Sequence, residues 1–227
     1  ETVQSMVSDI AHQARTPAAN IRMFAEILGR KNIPEEKRQQ FLTMMEEQTE
    51  KLHFLMEAMT KMSRLETGLV SLHRKRQPLL DTLAEAVSEV MPKALKKEIT
   101  VTVSCPDSVE LIHDRRWMVE AIFNLLDNAV KYTGPGGRVK IDAGQGQFYT
   151  KIDIADTGRG IAAGHLNHVF KRFYREPEAE GEDGIGLGLH LAKEIIELEK
   201  GYISVASVVG EGTTFSVYLL NEPDPHG

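Results

Sequence analysis

The stretch VSDIAHQARTPAANI, Val7 to Ile21, decides how the first third of the chain must fold. Apolar or small residues at Val3, Val7, Ile10, Ala14, Pro17, Ile21, Phe24 and Leu28 alternate in steps of four and three, the seam of a helix packed on other helices. His12 lies off that seam. With Val7 as the first heptad position, His12 falls at the sixth, the outermost, so its imidazole is expected to stand in water. Thr16 shares that face one turn on. Pro17 lacks a backbone N–H and crowds the carbonyl four residues earlier, so the helix is expected to bend or loosen near the histidine. An exposed histidine is by itself an ordinary surface residue, and any meaning for His12 must come from the rest of the chain.

The pattern predicts a first helix to about Arg30, and Pro34-Glu35-Glu36 then suits the first turn of a second. Its seam residues Phe41, Met45, Gln48, Leu52, Leu55, Met59 and Met62 repeat the same alternation, and Gly68 is an expected stop. Two long helices joined by a short loop form an antiparallel hairpin. Such a hairpin cannot bury both apolar stripes by itself, so a second copy is expected to complete a dimeric four-helix bundle, the alternative being that the stripe packs on the rest of the same chain. The methionines on the second helix read as adaptable core filler.

After Gly68 the period changes. Residues 71–77 read as a basic connector, with Arg74-Lys75-Arg76 as a solvated face. A helix near Leu79 to Lys97, strands at Ile99 to Ser104 and about Val109 to Ile112, and a helix N-capped by Asp114 follow. That helix ends in the turn cluster from Thr133 to Gly137. Strands near Arg138 to Ala143 and Phe148 to Ala155, a helix near Leu187 to Lys200, and closing strands Tyr202 to Val208 and Thr213 to Leu220 complete an α+β two-layer sandwich. The expected division is a hairpin over 1–70, a linker over 71–77, an α/β domain over 78–221 and a frayed tail over 222–227.

Composition excludes several classes. With 227 residues, 41% hydrophobic, the chain is long enough for two cores, and its net charge of −6 argues against a dedicated nucleic-acid binder. No apolar run is long enough to cross a bilayer. The single cysteine, Cys105, excludes an internal disulfide and fits a reducing compartment. Because the sequence opens already inside the helical pattern, it reads as part of something longer, with any membrane anchor or sensor upstream.

Three constellations in the second half carry chemistry. Asn124 and Asn128 project from one helix face with Lys131 one turn further; amide oxygens are neutral hard ligands for magnesium on phosphates, though such pairs also bridge neighbouring helices. Asp156-Thr157-Gly158-Arg159-Gly160 follows a strand, where a carboxylate can accept from an exocyclic amine and glycines admit a flat base, or the run is simply a polar strand exit. Gly184-Ile185-Gly186-Leu187-Gly188 leads into a helix, whose free N–H groups favour phosphate oxygens. It follows no strand, which argues against a dinucleotide fold of the Rossmann type.

Taken together, HQARTP around His12, NLLDNAVKY from Asn124, DTGRGI from Asp156, VFKRFYR from Val169, GIGLGL from Gly184 and EGTTFSVYL from Glu211 resemble, in order and spacing, the H, N, G1, F and G2 boxes and terminal hairpin of bacterial sensor histidine kinases. The resemblance covers essentially the whole chain. It implies a dimerisation and histidine-phosphotransfer hairpin, then an ATP-binding domain of the Bergerat type shared with gyrase, Hsp90 and MutL. It implies His12 as phosphoacceptor, Asn128 as magnesium ligand with Asn124 organising that site, and Lys131 and Tyr132 at the nucleotide. Asp156 would hold the adenine amine, with Gly158 and Gly160 shaping its pocket and Thr213 supporting it. Gly184, Gly186 and Gly188 would line the phosphates, Phe170 and Phe173 would anchor a lid over Glu176 to Asp183, and Arg175 would reach the γ-phosphate.

One departure stands beside the phosphoacceptor. The family usually carries Glu or Asp after the histidine, and here the residue is Gln13, which accepts a hydrogen bond but takes no proton. Slow self-phosphorylation is therefore expected, with Asp9 one turn back as a substitute base. Thr16 stands where the family's phosphatase activity uses Thr or Asn. The implied function is autophosphorylation of His12 by ATP and transfer to an aspartate of a response-regulator receiver domain, in a homodimer forming the cytoplasmic portion of a membrane-bound sensor. The alternatives are an ATP-binding scaffold impaired by Gln13, or an ATP hydrolase; the hydrolases carry a glutamate base where this chain has Asn124.

Overall fold

In the computed structural model, residues 3–30, 32–66, 71–176 and 184–222 are described, and the chain divides into two compact units. The first is a helical hairpin, α1 (Val3–Leu28) and α2 (Glu35–Glu66). Along its seam Ile10, Leu55, Ala58 and Met62 are buried, and the rings of Phe24 and Phe41 lie 5.9 Å apart. Asn20 donates to Gln48 across the helices at 3.4 Å. Ala58 is more buried than the neighbouring Met59, because a straight helix drifts against a strict seven-residue repeat and brings the flanking position inward. Helix α1 continues through Pro17 as a single element. Ile21, Phe24, Leu28, Phe41, Met45 and Leu52 stay half-buried within one hairpin. Gly68, the expected stop, lies outside the described residues.

The second unit is the expected two-layer sandwich. Strands β1 (Lys75–Pro78) and β3 (Glu110–His113) form a small antiparallel pair, and β2 (Thr100–Ser104), β4 (Arg138–Gln145), β5 (Tyr149–Asp156), β6 (Tyr202–Val208) and β7 (Gly212–Leu220) form the main sheet. Its order is β2-β4-β5-β7-β6, with β2 and β4 parallel and the remaining pairs antiparallel. Strict alternation sends Val139, Ile141, Ile152, Ile154, Phe215 and Val217 inward. On the other face Lys140 pairs with Asp142 at 2.8 Å and Lys151 with Asp153 at 2.7 Å. Helices α3 (Leu79–Lys96), α4 (Arg115–Tyr132) and α5 (Gly188–Leu198) cover the apolar face with Leu83, Met118, Ile122, Leu125, Leu126 and Ile195, all fully buried. Asp114 caps α4 as expected, its carboxylate accepting from the Trp117 N–H at 3.3 Å.

Two expectations need correction. Arg74 is not part of a solvated basic face: its guanidinium is largely buried and donates to Glu199 at 2.8 Å and Glu222 at 2.9 Å. Glu222 is not the start of a loose tail, since it is held by Arg74 and by Lys200 at 3.0 Å. Both corrections have one cause: the partners that hold Arg74 and Glu222 are distant in sequence, Glu199 and Glu222 for the one and Arg74 and Lys200 for the other.

Candidate nucleotide site and phosphoacceptor

Three backbone segments converge at the C-terminal half of α4. Asn124 is almost fully buried, and its Nδ2 donates to the Glu120 carbonyl at 2.7 Å. Its Oδ1 faces Gly188 at the start of α5, where an added Cβ would lie only 2.7 Å from that oxygen, so a larger residue there would make the amide shift. Asn128, half-buried, follows one turn later. The Lys131 ammonium lies 4.7 Å and the Arg159 guanidinium 5.0 Å from the Tyr132 ring centroid, so the ring meets two cations. Arg159 also pairs with the buried carboxylate of Glu176.

The last turn of α4 is held by a residue that sequence reasoning missed. Lys97 Nζ donates to the carbonyls of Val130, Lys131 and Thr133 at 3.1, 2.6 and 3.2 Å, placing a cation on the negative end of the helix. Removing it would orphan these carbonyls and free the segment carrying Lys131 and Tyr132. Lys97→Met is expected to lower stability by about 1.5–3 kcal/mol, the value of hydrogen bonds to a charged group, and to weaken nucleotide binding. A urea midpoint equal to that of the unsubstituted chain would contradict this.

Asp156 ends β5 opposite that turn. Its Oδ1 accepts from the Gly158 N–H at 2.8 Å and the Thr213 N–H at 3.3 Å. Burial pushes its carboxyl above the ordinary value, against the pull of those two donors. Gly160, at φ +72°, passes so close to β6 that a Cβ would lie 2.1 Å from the Val208 carbonyl oxygen. Arg159 N–H donates to the Tyr132 carbonyl at 3.3 Å, joining this loop to the end of α4. Ser207 supports the loop from behind: it accepts from the Ile161 N–H at 2.8 Å, donates to the Gly212 carbonyl and touches the Thr213 hydroxyl.

The aromatic segment packs beside α5. Phe170 meets Phe215 edge to face at 6.0 Å, and the Phe173 N–H donates to the Gly186 carbonyl at 2.9 Å, with Phe173 at φ +57°. His190 is buried beneath it, with Nδ1 on the Phe170 carbonyl and Nε2 accepting from Arg172, both at 3.0 Å. Arg175 is half-buried, Gly184 is exposed, and residues 177–183, most of the expected lid, lie outside the described residues.

Thus the structure brings Asp156, Gly158, Gly160 and Thr213 into one cluster, Asn124 against Gly188 in another, and links the two through Tyr132. Phe173 joins Gly186 on the α5 side. An open cavity of about 620 Å³ at the opposite end of β5, among Phe148, Tyr149, Tyr202 and Tyr218, contains none of these residues. In the hairpin, His12, Gln13 and Thr16 are all exposed on α1, while the side chain of Asp9 lies outside the described residues.

Residues 113–223 match the family described as histidine kinase-, DNA gyrase B- and HSP90-like ATPase, and residues 2–68 match the His Kinase A (phospho-acceptor) domain. The sensor protein kinase PmrB of Pseudomonas aeruginosa is 32% identical over 227 residues, spanning 99% of this chain and 47% of that protein. The sensor protein SrrB of Staphylococcus aureus is 30% identical over 95% of this chain and 38% of its own length. The chain therefore spans less than half of these curated relatives. Among solved structures, the Acinetobacter baumannii histidine kinase AdeS shares the fold at a TM-score of 0.75 and 21% identity, covering 93% of this chain and 98% of its own. Histidine kinase ThkA, solved with the response regulator protein TrrA, matches at 0.79 and 20% identity over 97% of this chain and 62% of its own.

Fold and matches together define the class: an ATP-binding α/β domain of the type shared by histidine kinases, gyrase B and HSP90, preceded by a phospho-acceptor hairpin. The chain belongs to the two-component sensor histidine kinases and comprises their catalytic core.

Proposed function

We propose that this chain transfers the γ-phosphoryl group of ATP to His12 and passes it on to an aspartate of a response-regulator receiver domain. The observation that carries the reading is that one chain holds an exposed histidine on a phospho-acceptor domain and, in an ATP-binding domain, a half-buried aspartate held through one carboxylate oxygen by two backbone N–H groups. His12 Nε2 forms a bond to the γ-phosphorus as the bond to the β,γ-bridging oxygen breaks and ADP leaves. The imidazole's remaining ring proton must then be shared with or released to a neighbouring acceptor. In the second step the N–P bond breaks and the receiver carboxylate takes the phosphoryl group.

Asp156 accepts the adenine amine, with Gly158, Gly160 and Thr213 around it. Lys131, Tyr132, Gly184, Gly186 and Gly188 face ribose and phosphates, and Arg175 neutralises charge on the transferring group. Whether a metal fits beside them depends on donor chemistry. Among the described residues no group of three or more His, Cys, Asp or Glu side chains could hold a metal, whereas the amide of Asn128, one turn from Asn124, offers a neutral hard oxygen. That set fits magnesium, which takes few protein ligands when it arrives with nucleotide phosphates. Bound there, it would supply charge neutralisation at the phosphate oxygens.

The half-buried apolar stripe on the hairpin supports a homodimer closing a four-helix bundle, and the response regulator solved with ThkA supports a receiver domain as partner. No helix among the described residues is long and apolar enough to cross a membrane. We place the chain in the cytoplasmic part of a membrane-bound sensor, and assign the hairpin to phosphotransfer and residues 71–222, with β1 and Glu222 included, to the ATP-binding unit apart from 184–185. The test is incubation with magnesium and γ-labelled ATP, then addition of a receiver domain. Protein-bound label that moves to the receiver supports the proposal; free phosphate without labelled protein identifies a hydrolase instead.

A further inference from the structure

Between the loop after Asp156 and the aromatic segment, the chain carries donor groups that take no part in the nucleotide site. It winds in successive tight turns: the His165 N–H donates to the Ala162 carbonyl, the His168 N–H to the His165 carbonyl and the Lys171 N–H to the His168 carbonyl, each at 2.8 Å. Turns of this kind take three residues per revolution, so side chains three apart eclipse one another. His165 and His168 thus share one side of the segment. Tyr174, a few residues on, meets them both. Its phenol oxygen is hydrogen-bonded to His165 Nδ1, and its ring centroid lies 6.1 Å from that of His165 and 5.6 Å from that of His168.

The backbone around these side chains is anchored on every side. Val169 is buried, Phe170 packs on Phe215 and gives its carbonyl to His190, and the Phe173 N–H donates to the Gly186 carbonyl. Such a frame lowers the entropy cost of gathering the three groups around a ligand. The three residues themselves are half-buried, so they stay within reach of an ion from solvent. His165 alone satisfies the phenol, and packing against the Tyr174 ring needs no nitrogen at position 168. The second imidazole therefore adds a metal-binding donor where neither hydrogen bonding nor packing calls for one.

We propose that His165, His168 and Tyr174 form a binding site for a transition-metal dication of the zinc class. Imidazole nitrogen suits zinc, copper and nickel, whereas magnesium takes oxygen ligands, so the ion that accompanies ATP does not compete. One nitrogen from each histidine and the phenol oxygen supply three ligands, and water the fourth, which is the count of an open zinc site. On binding, the hydrogen bond between His165 and Tyr174 is exchanged for a bond from each to the metal, and its proton leaves to solvent. The metal then ties residues 165–174 into a closed loop. Tyr174 immediately precedes Arg175, assigned above to the γ-phosphate, so occupancy stiffens that segment and slows phosphoryl transfer. This consequence rests on the kinase reading; the site itself does not.

The test titrates zinc chloride into the whole chain by calorimetry, in excess magnesium and without nucleotide. One zinc per chain is expected, with a dissociation constant raised at least about tenfold by His165→Gln and by His168→Gln, since even the outer partners of a metal ligand are worth about 10- to 100-fold. His53→Gln, at an exposed histidine of α2, should leave it unchanged. Added zinc should lower the rate of His12 phosphorylation at saturating magnesium-ATP at least about threefold, and should not do so in His168→Gln. Zinc that binds both variants as tightly as the unsubstituted chain, or none bound in excess magnesium, overturns the site. Zinc held there at an unchanged rate overturns its effect on phosphoryl transfer. A chain that takes no label on His12 even without zinc overturns the kinase reading, and calorimetry still decides the site.

Discussion

Asp156→Asn is expected to weaken ATP binding about a hundredfold and to raise the thermal stability of the nucleotide-free protein. The carboxylate accepts from two backbone N–H groups through one oxygen, which leaves the other for the adenine amine. In asparagine the amide oxygen satisfies those same donors, and the NH₂ then faces the adenine NH₂, donor against donor. Losing a hydrogen bond to a charged group is worth about 1.5–3 kcal/mol, or roughly 10- to 150-fold in affinity, and the opposed donors place the effect at the upper end. The same exchange should improve GTP relative to ATP, because guanine presents a carbonyl where adenine presents the amine.

The stability effect follows from the raised carboxyl. Burial favours the neutral form, so what Asp156 contributes to stability is present below its ordinary value and lost as pH rises through the higher value it has in the fold. At neutral pH its ionised form opposes folding, and asparagine removes that opposition. ATP affinity has the opposite dependence. It requires the ionised acceptor and should decline on acidification, beginning above the usual carboxylate range, whereas Asp156→Asn should bind weakly at every pH. Titration of nucleotide affinity against pH, with thermal unfolding of both proteins, checks the pair. A variant that binds ATP normally would remove Asp156 from the adenine site.

Gln13→Glu is expected to accelerate phosphorylation of His12 at least about tenfold, with ATP affinity unchanged. Attack by Nε2 leaves the ring short of a proton acceptor, and a positioned general base is typically worth about 10²- to 10⁴-fold. Gln13 stands exposed beside His12 and has an amide where a carboxylate would take that proton. Because the substitution touches no nucleotide group, the gain should fall entirely on the rate at saturating ATP. An unchanged rate would show that another group takes the proton, and the scaffold reading would then lose its one support.

Much of this was legible in the chain because local physics agreed with global structure. The four-three alternation of α1 and α2 is a property of one helix face, so Ile10, Leu55 and Met62 could be named as core, and His12 as exposed, from the sequence alone. The Asp114 cap, the turn after Tyr132 and the two-residue period of β4, β5 and β7 are equally local. What stayed hidden is what depends on distant partners. Arg74 looked like one of three solvated cations because Glu199 and Glu222 are 125 and 148 residues away. Lys97 gave no sign that it would cap a helix beginning after Asp114, nor Ser207 that it would brace the loop after Asp156. His190 occupied an ordinary helix position until the aromatic segment folded over it. Glycines announced a close approach, but not that Gly188 would be matched to Asn124.

The most direct test of the whole account is to locate the phosphoryl group after incubation with magnesium and γ-labelled ATP. The chain should acquire acid-labile, alkali-stable label on His12 alone, and His12→Gln, which keeps the helix and removes the attacking nitrogen, should acquire none. Label that persists in His12→Gln, or that maps to another residue, would contradict it.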